Sequence, residues 1–182
     1  MYFRVCSAMR FARLTYAAIL SGALAWCALI LIAPVAASSV VYRPLASFVY
    51  AFFSPLCHQI GARSFYLFGQ PLAVCGRCTS IYFGFLSGVL AYPLVRRSRI
   101  IAGSVQPGRM FLAIAVLPML VDFALEAAGL YDSSNVIRAA TGAWFGILIP
   151  FLIIPGAVEG ISGLFARPKP PAVQPVKGLI DA

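Results

Sequence analysis

The chain has 182 residues, of which 62% are hydrophobic and only 10% are charged. Soluble domains carry roughly 25% charged residues, so this composition excludes an ordinary soluble globule and a disordered chain. The net charge of +9 arises because acidic residues are scarce, with 5 Asp and Glu against 14 Lys and Arg. A nucleic-acid partner is therefore not expected, and a small polytopic membrane protein surrounded by membrane lipids is indicated.

Four apolar segments predict an all-α protein with four transmembrane helices, because a span needs about 20 residues. The first segment contains no charge between Leu14 and Val41. A cleaved signal peptide is the alternative for this segment, but its apolar run exceeds the roughly 7–15 residues of a signal-peptide core. The predicted spans are Leu14–Ala37, Val74–Val95, Met110–Leu130 and Ile137–Phe165, the last broken by Pro150 and Pro155.

The remaining segments complete the predicted domain organisation. Leu45–Leu56 is apolar but too short to cross a membrane, and it predicts a short interfacial or re-entrant helix. Residues 1–166 are expected to form a single four-helix transmembrane domain. Residues 167–182 are rich in proline and predict a solvated cytoplasmic tail.

The distribution of positive charge predicts the orientation in the cell membrane. Ten basic residues lie in the segments 1–13, 96–109 and 167–182, which share one side if there are four spans. The other side holds four, namely Arg43, Arg63, Arg77 and Arg138. Because cytoplasmic loops carry the excess of Lys and Arg, both termini are expected in the cytoplasm.

Three cysteines and the only histidine of the chain are concentrated near the start of the second span. Cys75 and Cys78 form a C-x-x-C motif, and Cys57-His58 lies across a short loop from it. Three Cys and one His match a closed tetrahedral zinc site, so zinc is the expected metal. A redox disulfide and inert packing are the alternatives, and inert packing is the expectation for Cys27 in the middle of the first span.

Two acidic residues, Asp122 and Glu126, lie one turn apart in the third predicted span. Ionised acids inside a membrane are costly, so they normally face the interior of the bundle with a partner. A structural ion-pair network and a polar pocket for a lipid head group or a small anion are both compatible with this pattern. The residues expected in the pocket are Arg63, Arg77, Tyr82, Asp122, Glu126, Asn135 and Arg138.

Two rows of small residues predict close helix packing. Ser80, Gly84 and Gly88 are spaced by four, as are Gly142 and Gly146 in the last span. Such small-xxx-small rows let the backbones of membrane helices approach closely.

Several short motifs follow one another in a specific order between residues 55 and 146. They are Cys57-His58-Gln59, Arg63-Ser64-Phe65, Cys75-Gly76-Arg77-Cys78-Thr79, Tyr82, Gly84, Asp122, Ser134-Asn135, Arg138 and Thr141-Gly142. This ordered set resembles the domain of unknown function 2085 family of bacterial and archaeal membrane proteins. The resemblance implies a membrane fold and a shared site, but no reaction.

Two functions compete on this sequence. The favoured hypothesis is an outward-facing Cys/His metal site beside the polar pocket. The alternative is a membrane thiol-disulfide oxidoreductase, because four helices with C-x-x-C at the outer end of a span are similar to the quinone-coupled disulfide oxidases. In that case Cys75 and Cys78 form the redox pair and a quinone is the cofactor. A transporter built on Asp122 and Glu126 would require a homo-oligomer.

Overall fold

The computed structural model describes residues 2–97 and 108–165. Within these residues the chain forms six α-helices, a 3-10 turn at Gly61–Arg63 and a two-stranded hairpin. The proline-rich tail predicted for residues 167–182 lies outside the described residues. The elements are α1 Tyr2–Ala37, α2 Arg43–Phe53, β1 Tyr66–Leu67, β2 Gln70–Pro71, α3 Gly76–Arg97, α4 Arg109–Ala127, α5 Asn135–Leu148 and α6 Pro150–Phe165.

The prediction of an all-α membrane protein with four transmembrane helices is confirmed. Four helical segments are long and apolar enough to cross a membrane, and α5 and α6 together form the fourth. This chain is a multi-pass membrane protein. The predicted break at Pro150 coincides with the start of α6, whereas Pro155 lies inside α6 and does not end it. The four segments are Arg10–Ala37, Gly76–Arg97, Met110–Ala127 and Asn135–Ile161.

The predicted rows of small residues form the contact between α3 and α5, the most extensive helix pair of the fold. A Cβ atom built on Gly88 would lie 2.3 Å from the carbonyl oxygen of Ile147. One built on Gly146 would lie 2.3 Å from the carbonyl oxygen of Ile81. Because no side chain fits between the two backbones, glycine is required here for the two helices to touch.

The short predicted helix is α2, and it is amphipathic. Its buried residues Ala46, Val49 and Phe53 share one face, and two of them pack in a core with Ile30 and Ala33 of α1. The opposite face presents large apolar side chains outward, and Phe48 is 70% exposed. An exposed apolar face next to the end of a membrane span is suited to contact with lipid.

The loop between α2 and α3 is folded back onto the bundle by a hairpin that the sequence did not predict. Tyr66 pairs with Pro71 and Leu67 with Gln70. The two turn residues, Phe68 and Gly69, have φ values of 52° and 74°, which suit a two-residue hairpin turn. The hairpin returns the chain to α1 and delivers Leu72, Ala73 and Val74 as buried residues just before α3.

The orientation predicted from charge is open to a direct test. A reporter fused after Ala182 is expected to read as cytoplasmic, and one inserted at Gly61 is expected to read as external. The measurement is paired activity of a reporter active only inside and one active only outside the membrane. A cytoplasmic signal from Gly61 would contradict the orientation and place the cysteines in a reducing compartment.

Candidate functional site

Three cysteine sulfurs meet at the start of α3. The Sγ atoms of Cys57, Cys75 and Cys78 all lie within 4.8 Å of one another. All three are free thiols, and Cys57 is buried while the other two are half-buried. Cys57 follows α2, whereas Cys75 immediately precedes α3 and Cys78 lies in its first turn. The sulfur cluster therefore joins the loop to the second span.

The local geometry of Cys75 explains how the sulfur cluster forms. Its carbonyl accepts the first hydrogen bond of α3, from the amide of Thr79, at 2.9 Å. Its own amide donates to the Cys57 sulfur at 3.2 Å. A hydrogen bond from the Cys78 side chain lowers the pKa of Cys75 to about 5 and outweighs desolvation, which raises this pKa. A free helix N-terminus also favours negatively charged sulfur, so thiolate chemistry suits this position.

Two predicted site residues lie elsewhere than expected, namely His58, predicted as a metal ligand, and Tyr82, predicted in the polar pocket. His58 is exposed, and among the described residues it is not one of the group whose ligand atoms converge. Tyr82 packs against the core that contains the cysteines, and its ring lies 5.6 Å from that of Trp26. Tyr82 therefore belongs with the sulfur cluster rather than with the charged residues. Cys27 is buried, as expected, and donates to the Tyr82 carbonyl at 3.5 Å.

Gln59 holds the segment that carries Cys57, a role the sequence did not indicate. Its side-chain amide donates to the carbonyls of Tyr50 and Ala73, both at 2.8 Å. One side chain thus bridges α2 and the residues that precede α3. The backbone of Gln59 has φ 51°, in the left-handed region that is uncommon for a residue with a side chain.

The acidic pair of α4 lies in a network of charged side chains on the other side of α3. Asp122 is 4% exposed, and its Oδ2 atom contacts Nη2 of Arg77 at 2.5 Å. Its Oδ1 atom accepts hydrogen bonds from the hydroxyls of Tyr131 and Ser133. Every oxygen of this buried carboxylate thus has a donor, which is the condition for keeping it charged.

Glu126 forms salt bridges with all three arginines predicted for the pocket. Its carboxylate contacts Arg138 at 2.6 Å, and both Arg63 and Arg77 at 3.0 Å. Asn135 joins by accepting from Arg138 at 3.3 Å and donating to the Ala62 carbonyl at 3.2 Å. We call Arg63, Arg77, Asp122, Glu126 and Arg138 the ionic network; with three cations and two anions it carries an excess charge of +1.

A helix-ending motif brings Tyr131 and Ser133 back to Asp122. Gly129 has φ 69°, and its amide donates to the Glu126 carbonyl at 3.0 Å. The next amide, of Leu130, donates to the Leu125 carbonyl at 3.1 Å, which completes a Schellman motif. The chain therefore reverses directly after α4. Tyr131 is a site residue that the sequence did not indicate, and its hydrogen bond to Asp122 raises its pKa.

In the polar turn before α5, neighbouring serines make different hydrogen bonds. Ser134 caps the helix by accepting from the Ile137 amide at 3.3 Å. Ser133 is turned toward Asp122 instead, at 2.7 Å. The two neighbouring serines thus have different roles, one at the start of the helix and one at the buried carboxylate.

The C-x-x-C motif at the start of α3 contributes residues to both the sulfur cluster and the ionic network. Cys75 and Cys78 face Cys57, while Arg77 between them reaches α4 and contacts both acids. The Nε atom of Arg77 is buried without a partner among the described residues. A change in the first turn of α3 therefore acts on the sulfur cluster and the ionic network together.

Comparison with known proteins covers this part of the chain. The family described as predicted membrane protein (DUF2085) matches residues 57–152, which is more than half of the chain. The chain belongs to the DUF2085 family. The matched region begins at Cys57 and contains the sulfur cluster and the whole ionic network, whereas α1 lies outside it.

Two archaeal proteins that are similar to this chain are described as uncharacterized proteins. A protein of Methanocaldococcus jannaschii is 39% identical over 107 residues, covering 59% of this chain and 67% of its own length. A protein of Methanothermobacter thermautotrophicus is 32% identical over 95 residues, covering 52% of this chain and 81% of its own length. No solved structure matches the chain.

Proposed function

We propose that this DUF2085 protein binds a metal ion through Cys57, Cys75 and Cys78 on the outer side of the cell membrane. The observation that supports the proposal is the convergence of three free thiols within 4.8 Å from two separate segments. Zinc is the preferred ion, because thiolate-rich tetrahedral sites select it among the common divalent metals.

The sulfurs lie close enough together to share such an ion. A Zn–S bond of 2.3 Å in a tetrahedral site corresponds to sulfurs about 3.8 Å apart. The lowered pKa of Cys75 supplies one thiolate before any metal arrives. Metal binding requires the remaining thiols to lose their protons. The positive partial charge of the helix N-terminus favours that deprotonation.

The fourth coordination position distinguishes two kinds of site. His58 remains the sequence-based prediction for it, which would give a closed structural centre. His58 is exposed, however, and adjacent to the ligand Cys57 in the chain. Three protein ligands with an open fourth position would instead resemble catalytic zinc sites, which keep that position for water or substrate.

Metal analysis of purified variants tests the proposal. Cys57→Ser is expected to release the ion and to loosen the loop 58–74, because the metal closes that loop against α3. The measurements are metal content per chain and hydrogen exchange of the loop. Cys27→Ser is the matched control, since Cys27 is a buried thiol outside the sulfur cluster.

The same assay assigns the fourth ligand and can contradict the proposal. His58→Ala lowers metal affinity if His58 is a ligand, and leaves it unchanged if the position is open. Full metal occupancy in Cys57→Ser would refute the three-sulfur site. A protein that never carries metal and contains a Cys75–Cys78 disulfide would instead favour the oxidoreductase.

The oxidoreductase is the second candidate, supported by the two adjacent free thiols of the C-x-x-C motif. In this function Cys75 and Cys78 lose two electrons and two protons as their S–S bond forms. A membrane quinone takes up both electrons and both protons and becomes the quinol. Quinone reduction by the purified dithiol protein, absent in Cys78→Ser, is the expected signal. Without it, this candidate fails.

The ionic network supports a ligand of its own. We propose that a lipid head group or a small anion binds there, because three arginines face only two carboxylates. Arg63 is the accessible member, with its side chain 45% exposed, whereas Arg138 is 8% exposed. This excess of one positive charge is compensated most simply by an anion from the solvent or from the lipid surface, which can reach Arg63.

A further inference from the structure

A cavity at the opposite end of the bundle has a different lining from the sulfur cluster and the ionic network. It has a volume of about 370 Å³ and lies where α1, α3 and α6 meet. Three of its lining residues are exposed arginines, namely Arg13, Arg96 and Arg97. None of the described lining residues is acidic. The cavity therefore presents concentrated positive charge at the end of a membrane span.

The inner wall of the cavity is apolar and well packed. Ile154 is 1% exposed and Tyr92 is 9% exposed. Tyr16 stacks on Tyr92 with ring centroids 6.4 Å apart, and its hydroxyl donates to the Val89 carbonyl at 3.1 Å. These contacts tie α1 to α3 and fix the aromatic wall, so the cavity is a property of the packed bundle.

The same wall positions one of the arginines. An Nη atom of Arg96 donates to the Tyr92 hydroxyl at 2.9 Å, and its guanidinium lies 5.9 Å from the centre of that ring. A guanidinium carries five N–H donors, so Arg96 retains donors for a second acceptor while it is held in place. An oriented arginine above an apolar wall is suited to a phosphate that is attached to an apolar group.

We infer that this cavity binds an anionic phospholipid. The phosphate would contact the three arginines, and an acyl chain would lie along the wall formed by Tyr16, Tyr92 and Ile154. A free anion would match the charge but would leave the apolar wall without a partner. Basic pockets between membrane helices are known to hold anionic head groups in this way. The inference is independent of the metal proposal and of the orientation, because it concerns the opposite end of the helices.

Lipid binding to the full-length protein tests the inference. The detergent-purified protein is titrated with phosphatidylglycerol or phosphatidylcholine, and bound lipids are counted by native mass spectrometry. Phosphatidylglycerol is expected to bind more tightly, and Arg96→Gln is expected to weaken it about fivefold, which corresponds to about 1 kcal/mol per basic residue. Arg10→Gln is the matched control, because Arg10 is an exposed arginine of α1 that does not line the cavity.

Three outcomes would overturn the inference. Equal weakening by Arg10→Gln and Arg96→Gln would indicate general surface charge instead of a site. Displacement of phosphatidylglycerol by equimolar inorganic phosphate would indicate a site for the free anion. Unchanged binding in Arg13→Gln and Arg97→Gln would also contradict it, and these exposed positions provide the test if Arg96→Gln does not fold.

Discussion

Replacing Asp122 with Asn is expected to lower the free energy of unfolding by about 3 kcal/mol, toward the lower end of the range for breaking a buried ion pair. The carboxylate is buried and accepts from Arg77, Tyr131 and Ser133. Its neutralisation leaves Arg77 with Glu126 as its remaining acidic contact, which moderates the loss. Unfolding by a denaturing detergent, followed by circular dichroism, measures the change.

The control for this prediction is Asp132→Asn, because Asp132 is an exposed acid near the same turn. It is expected to change stability by less than about 0.5 kcal/mol, as surface substitutions usually do. Combining Asp122→Asn with Arg77→Met should cost less than the sum of the two single changes, because the partners are removed together. Strictly additive losses would show that Arg77 is not the partner of Asp122.

Replacing Gly146 with Ala is expected to destabilise the bundle by about 1–3 kcal/mol, the usual cost of overpacking. The added methyl group would lie 2.3 Å from the Ile81 carbonyl oxygen, which belongs to the backbone of α3. Because neither backbone has room to yield locally, α3 and α5 must separate along the whole contact. The first turn of α3 would shift with them, so the proposed metal site should lose occupancy in the same variant.

Gly156→Ala is the control, and it is expected to change stability in the opposite direction in the same assay. Gly156 lies in α6 with nothing within 4 Å of an added Cβ atom. Alanine in a helix interior is favoured over glycine by roughly 0.5–1 kcal/mol, so this variant should be slightly more stable. Equal destabilisation of both variants would mean that the α3–α5 contact is not the reason.

The sequence alone predicted the membrane fold and the members of the sulfur cluster and the ionic network, but not the roles of Gln59 and Tyr131. Long apolar segments are stable in the lipid core of a membrane, so length and composition were sufficient to predict four spans. The site residues were recognisable because such residues are uncommon in an apolar chain. Two acids inside an apolar helix are costly, and three cysteines near the single histidine are rare. The rows of small residues also predicted a close helix contact, since their spacing repeats once per turn.

The tertiary structure decided which of these residues meet. Arg63, Arg77 and Arg138 were equivalent candidates in the sequence, but α5 packs against both α3 and α4, and Arg77 of α3 meets Asp122 of α4. Tyr131 entered the site only because the Schellman motif at Gly129 reverses the chain after α4. His58 lies outside the sulfur cluster because the hydrogen bonds of Gln59 to Tyr50 and Ala73 hold the loop in a conformation that exposes His58 to solvent. Spacing along a chain fixes contacts within one helix, whereas contacts between segments depend on how their backbones pack and turn.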